Sequence, residues 1–109
     1  MPEFAFIFRA GRDLNPADLP RRNAAARDWA IALRDRGVLH VASPLEDDGF
    51  NVTKEGATPV AREEAVASVL VIEAADLQNA LTLAKGHPGL AFGTQIEVRP
   101  VKPVAGTAR

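Results

Sequence analysis

The chain has 109 residues, 47% of them hydrophobic and 25% charged, with a formal net charge of -1. That length is one domain, and a balanced charge without any basic run argues against nucleic acid as a partner. With no cysteine, disulfides and thiolate chemistry are excluded. The opening residues lack the features of a leader, and no apolar run reaches membrane length, so a cytoplasmic protein with no membrane partner is expected.

In chain order, Phe4-Ala5-Phe6-Ile7-Phe8 reads as a strand that is apolar on both faces. Phe4, Phe6 and Phe8 share one face; Ala5 and Ile7 share the other. Gly11 to Asn15 reads as loop and Pro16 to Leu19 as one turn at most. The main helix starts with Pro20 as its first residue, where a missing N–H costs nothing, and runs to Arg36. Ala26, Trp29, Ala30 and Leu33 make its apolar stripe, with Ile31 off to one side. Gly37 suits the left-handed residue that closes a helix.

Val38 to Ser43 is the second strand. Phe50 to Val60 carries Glu55-Gly56 between two short extended pieces, a weak hairpin, and Ala61 to Val66 is either loop or helical turn. Ala67 to Glu73 is again apolar on both faces. Asp76 caps a second helix with Leu77, Ala80, Leu81 and Ala84 inward. Gly86 ends it, and the turn Lys85-Gly86-His87-Pro88-Gly89 leads to a last strand, Thr94 to Val101. There Ile96 and Val98 point inward, and Gln95, Glu97 and Arg99 outward. Residues 1–102 make the domain, and 103–109 a loose tail.

The order strand, helix, strand, hairpin, strand, helix, strand is the split βαβ plan of ferredoxin-like folds. The class is α+β, with a mainly antiparallel sheet and two helices on one face. The central strands of that plan are the two with apolar residues on both faces. Helices cover one face; the other needs a cover or becomes a large exposed apolar patch. A two-fold homodimer with its sheets face to face is the simplest solution. An all-parallel sheet sandwiched by helices would explain the same runs, but two helices are too few for it.

Several segments resemble the YCII-related (DGPF-domain) proteins. They are Glu3-Phe4-Ala5-Phe6-Ile7-Phe8-Arg9-Ala10-Gly11, the helix end Trp29, Leu33 and Gly37-Val38-Leu39, and Ser43-Pro44-Leu45-Glu46. The stretch from Glu73-Ala74-Ala75-Asp76-Leu77 through Gly86-His87-Pro88 to Ile96-Glu97-Val98-Arg99-Pro100-Val101 completes the match. The resemblance spans about residues 3 to 102 and implies a dimeric α+β barrel. Two departures stand out. Where the family's Asp-Gly-Pro-Phe signature is due, the chain reads Ala61-Arg62-Glu63-Glu64-Ala65-Val66-Ala67. Some relatives carry a helix histidine and an aspartate in an Asp-Pro turn; the corresponding positions here hold Ala26 and His87.

Four side chains could carry chemistry. His87 could serve as a general acid or base at a cleft, or could cap the preceding helix, whose dipole favours a cation there. His40, placed on the same strand face as Val38 and Ala42, could share a cleft with Trp29 as a base, or be a half-buried structural histidine. Arg9 could bind a carboxylate or form an edge ion pair. Trp29 could stack on a flat ligand or pack in the core. No metal site and no cofactor is expected, since neither a third ligand near the histidines nor a glycine-rich phosphate loop is present. Three functions follow. One is a small dimeric enzyme using cofactor-free acid/base chemistry on an aromatic or enol-type metabolite, by analogy with the fold. The alternative is a non-catalytic module that binds a small ligand or a regulatory partner. The third is a structural dimer whose histidines are packing residues or caps.

Overall fold

A computed structural model describes residues 1–11 and 15–103 of the chain; the expected tail past Pro103, and residues 12–14 of the expected first loop, lie outside the described residues. The strands are β1 (Glu3–Arg9), β2 (Leu39–Pro44), β3 (Phe50–Thr53), β4 (Gly56–Pro59), β5 (Val66–Glu73) and β6 (Gln95–Pro100). The helices are α1 (Leu19–Asp35) and α2 (Leu77–Lys85). The main sheet has the order β2-β5-β1-β6 with every neighbouring pair antiparallel. Each helix therefore joins two strands that flank a third, β5 in the first unit and β1 in the second. This is the ferredoxin-like α+β plan, with the two doubly apolar strands at its centre.

Local chemistry sets the element ends. The Asn15 side chain accepts the Ala17 N–H at 3.0 Å and opens a single 3-10 turn, Pro16–Asp18, that runs directly into α1. Pro20 sits in the first turn of α1, where its missing N–H has no helical partner to lose. At the other end Gly37 has φ 76°. Its N–H bonds the Arg34 carbonyl at 2.9 Å, and the Val38 N–H bonds the Leu33 carbonyl at 3.2 Å. Those two bonds form the paired C-terminal cap that favours glycine. Asp76 accepts the Asn79 N–H at 2.8 Å and starts α2.

The core lies between the helices and one face of the sheet. Phe4, Phe6, Phe8, Leu70 and Ile72 are buried there beneath Leu33 of α1 and Ala80 and Ala84 of α2. Phe6 and Ile72 are completely inaccessible, each burial contributing about 1.5–3 kcal/mol. The opposite face carries Ala5, Ile7, Val69 and Val71 across β1 and β5, all half-buried in the single chain. β3 and β4 form a separate two-stranded ribbon around Lys54-Glu55, with Phe50 62% exposed. The stretch left open between loop and turn contains a 3-10 turn at Arg62–Glu64.

Candidate functional site

Only Leu33 of α1 is fully buried. Toward its N-terminal half the helix stands off the sheet, because the residues that face the gap are small. Ala26 and Ala30 on α1, Ala42 on β2 and Ala67 on β5 leave a cavity of about 360 Å³. Phe8, Trp29 and Leu70 give it apolar walls, and Arg22, Asn23, Arg27, Ser68, His87 and Thr94 supply the polar groups. A volume of that order suits a small ligand, and an apolar lining with a few polar groups is the usual make-up of such sites. Ala10, Arg22 and Ala67 also border a second, adjoining depression lined by Glu46, Asp47, Arg62 and Glu63.

His87 is 6% exposed and stands at the cavity wall with its ring edge-on to Trp29, 4.7 Å between centroids, and 5.0 Å from Phe8. Its local role differs from the helix-ending cap expected from sequence. The His87 backbone N–H bonds the Ala84 carbonyl at 3.0 Å, while the side chain turns away from α2. Nδ1 accepts the Gly89 N–H at 2.9 Å and so opens the next 3-10 turn, Pro88–Phe92. Because Nδ1 is an acceptor, the proton of the neutral ring is on Nε2. The ring is also no cation near neutrality: burial, with the Arg22 charge adding to it, lowers its pKa from 6.5 to about 4. Gly89 makes this packing feasible, since a Cβ there would lie 2.7 Å from His87 Cε1 and 2.8 Å from Thr94 Oγ1.

The other sequence candidates divide. Trp29 lies with His87 on the cavity wall and also touches Phe6 and Phe8, at 6.3 and 6.2 Å between ring centroids, so it is both wall and core. Arg9 borders the cavity, but its guanidinium is taken by Glu97 at 3.0 Å, the edge ion pair that was its other reading. His40 does not share the cavity. Leu39 pairs with Ile72 and Val41 with Val71, so His40 is an extra residue in a bulge and leaves the face of Ala42. Its Nδ1 is 2.7 Å from Glu3 Oε2 and its Nε2 3.8 Å from Glu73 Oε1, carboxylates that lie opposite each other on β1 and β5. Of its two readings the structure fits the hydrogen-bonded structural histidine and not the cleft shared with Trp29, because alternation fails at a bulge.

Two groups at the site gave no signal in the sequence. Thr94 is 8% exposed, lines the cavity, and its Oγ1 has no hydrogen-bond partner. Leaving a buried hydroxyl unpaired costs about 1–3 kcal/mol. Arg22 borders the cavity and directs its guanidinium to Asn23 Oδ1 at 2.9 Å. Among the described residues neither Arg22 nor Arg27 forms an ion pair, and no carboxylate lines the inner cavity.

No curated protein matches the chain by sequence. Among solved structures, a crystal structure of muconolactone isomerase aligns with a TM-score of 0.66 at 13% identity, over 98% of this chain and 95% of that one. The 5-chloro-2-hydroxyhydroquinone dehydrochlorinase of Burkholderia phenoliruptrix, complexed with 2,5-dihydroxybenzoquinone, aligns with a TM-score of 0.54 at 19% identity, over 91% and 93%. At such identities the likeness is one of fold, and it agrees with the strand order and helix placement described above. The sequence profile of the YCII-related domain matches residues 13–105, an interval that holds Ala26, Trp29, His87 and Thr94 of the cavity lining. The chain belongs to the YCII-related domain family.

Proposed function

We propose that this chain takes a small, flat, oxygen-bearing ring or enol compound into the cavity beneath α1 and acts on it by cofactor-free chemistry, with His87 at the ligand's oxygen. The observation that carries this reading is the paired wall of His87 and Trp29, centroids 4.7 Å apart, on an apolar cavity of about 360 Å³. An indole edge and phenyl ring favour a planar guest, and a single buried imidazole orients it. The fold neighbours add support by analogy: one is an isomerase, the other a dehydrochlorinase holding a dihydroxybenzoquinone. The working form is a cytoplasmic homodimer joined through the open sheet face.

A second reading is a module that holds the same ligand without converting it. The specific observation in its favour is that no carboxylate lines the inner cavity among the described residues, so a ready general base is missing there.

One experiment separates the two. Flat hydroxyquinones, enol lactones and phenols are screened by thermal shift, since a ligand of the folded state raises stability by mass action. Compounds that bind are then incubated with the protein in heavy water and followed by NMR. Faster deuterium uptake or turnover than in buffer supports the enzyme; binding without either supports the module. A panel in which nothing binds removes both readings.

A further inference from the structure

Resting on the reading of the cavity as a small-molecule site, we infer that its ligand is bound as an oxyanion, a phenolate or enolate, and that His87 acts as a hydrogen-bond donor to that oxygen and not as a base. Two independent features agree. First, the Gly89 N–H occupies Nδ1 at 2.9 Å, so the lone pair a base would use is engaged, and Nε2–H is the group left to face a guest. Nε2 has no partner among the described residues, and the ring lines the cavity. Second, Arg22 and Arg27 border the same space without an ion-pair partner among the described residues, and no described carboxylate lines it. The carboxylates nearby, Glu46, Asp47 and Glu63, line the adjoining depression, which Arg22 also borders.

Donors and positive charge without a base select a guest that arrives already ionised. A neutral ring oxygen could accept from Nε2–H but would offer no charge to Arg22, whereas an oxyanion answers both, and its charge-assisted bonds are the stronger ones. The neutral imidazole suits this role, because an imidazolium beside Arg22 would repel it; burial holds the ring in the neutral form.

The test uses 4-nitrophenol, a flat ring that ionises near neutrality and whose phenolate is coloured. Its ionisation is titrated spectroscopically with the protein in excess. The expected result is a downward shift of about one pH unit, which is a tenfold preference for the phenolate. Arg22→Gln should reduce the shift. An unchanged or upward ionisation of the bound probe overturns the inference, as does a cavity that accepts neutral ring compounds and excludes the phenolate. If neither the probe nor the neutral panel binds, the cavity reading itself falls, a distinguishable outcome.

Discussion

A histidine in a Gly-His-Pro turn after a helix suggests a cation on the helix dipole, and here burial outweighs that field. The dipole is worth about 0.3–1 kcal/mol for an exposed group, whereas desolvation and Arg22 together move the His87 pKa from 6.5 to about 4. The consequence for stability has a definite sign. Between those values the unfolded chain binds a proton that the folded chain does not, so stability falls as pH drops from about 6.5 toward 4. The loss from this group is at most roughly 3 kcal/mol. Urea unfolding of the wild type at a series of pH values should show that slope. His87→Asn, which keeps a side-chain acceptor for the Gly89 N–H, should flatten it between about pH 5 and 6.5, leaving only the carboxylate contribution at lower pH. An identical slope in the variant would assign the acid sensitivity elsewhere. The place of His87, in the turn after α2, was legible in the sequence. Its protonation state and the orphan Thr94 were not, because both depend on what packs over them.

Among the elements, α1 decides whether there is a site at all. Its stripe of Ala26, Trp29, Ala30 and Leu33 was legible from helical spacing, and the same spacing suggested core packing. Only Leu33 reaches full burial, because alanines on α1, β2 and β5 meet across a gap that no side chain fills. A cavity of this kind is a property of pairs of small residues on different elements, which one-dimensional periodicity does not report. Filling it is therefore expected to cost little. Ala26→Leu adds three carbons into open volume, where a packed core would lose about 1–3 kcal/mol to overpacking. Its melting temperature should equal or exceed that of the wild type, while uptake of any cavity ligand is lost; calorimetric unfolding and the thermal-shift panel measure the two. Strand β2 shows the converse limit. Alternation placed His40 with Ala42, but the bulge between Leu39 and Val41 re-aims it to Glu3 and Glu73. Bulges follow from strand pairing, and β2 has no glycine to mark one.

For the whole molecule, the doubly apolar strands made the sheet order readable before the fold was seen, and β1 and β5 do occupy its centre. They also leave the chain with an unanswered face. Ala5, Ile7, Val69 and Val71 form its middle, with Val41 46% exposed alongside. Charged groups rim it: Arg9 with Glu97 toward β6, and His40 with Glu3 and Glu73 toward one end. An apolar centre within a polar rim is the make-up of an interface between copies, and a chain of this size gains most from such burial. A two-fold axis through the face would set Ile7 and Val71 against their own copies. The expected outcome is a dimer in light scattering at micromolar concentration, with a melting temperature that rises with concentration. Val71→Lys buries a charge at the centre of that contact, which is expensive without a partner, so the variant should run as a monomer and melt lower. It should keep the cavity, because Val71 points away from α1. A wild type that remains monomeric at these concentrations would leave the apolar face open to water, and would remove the dimer.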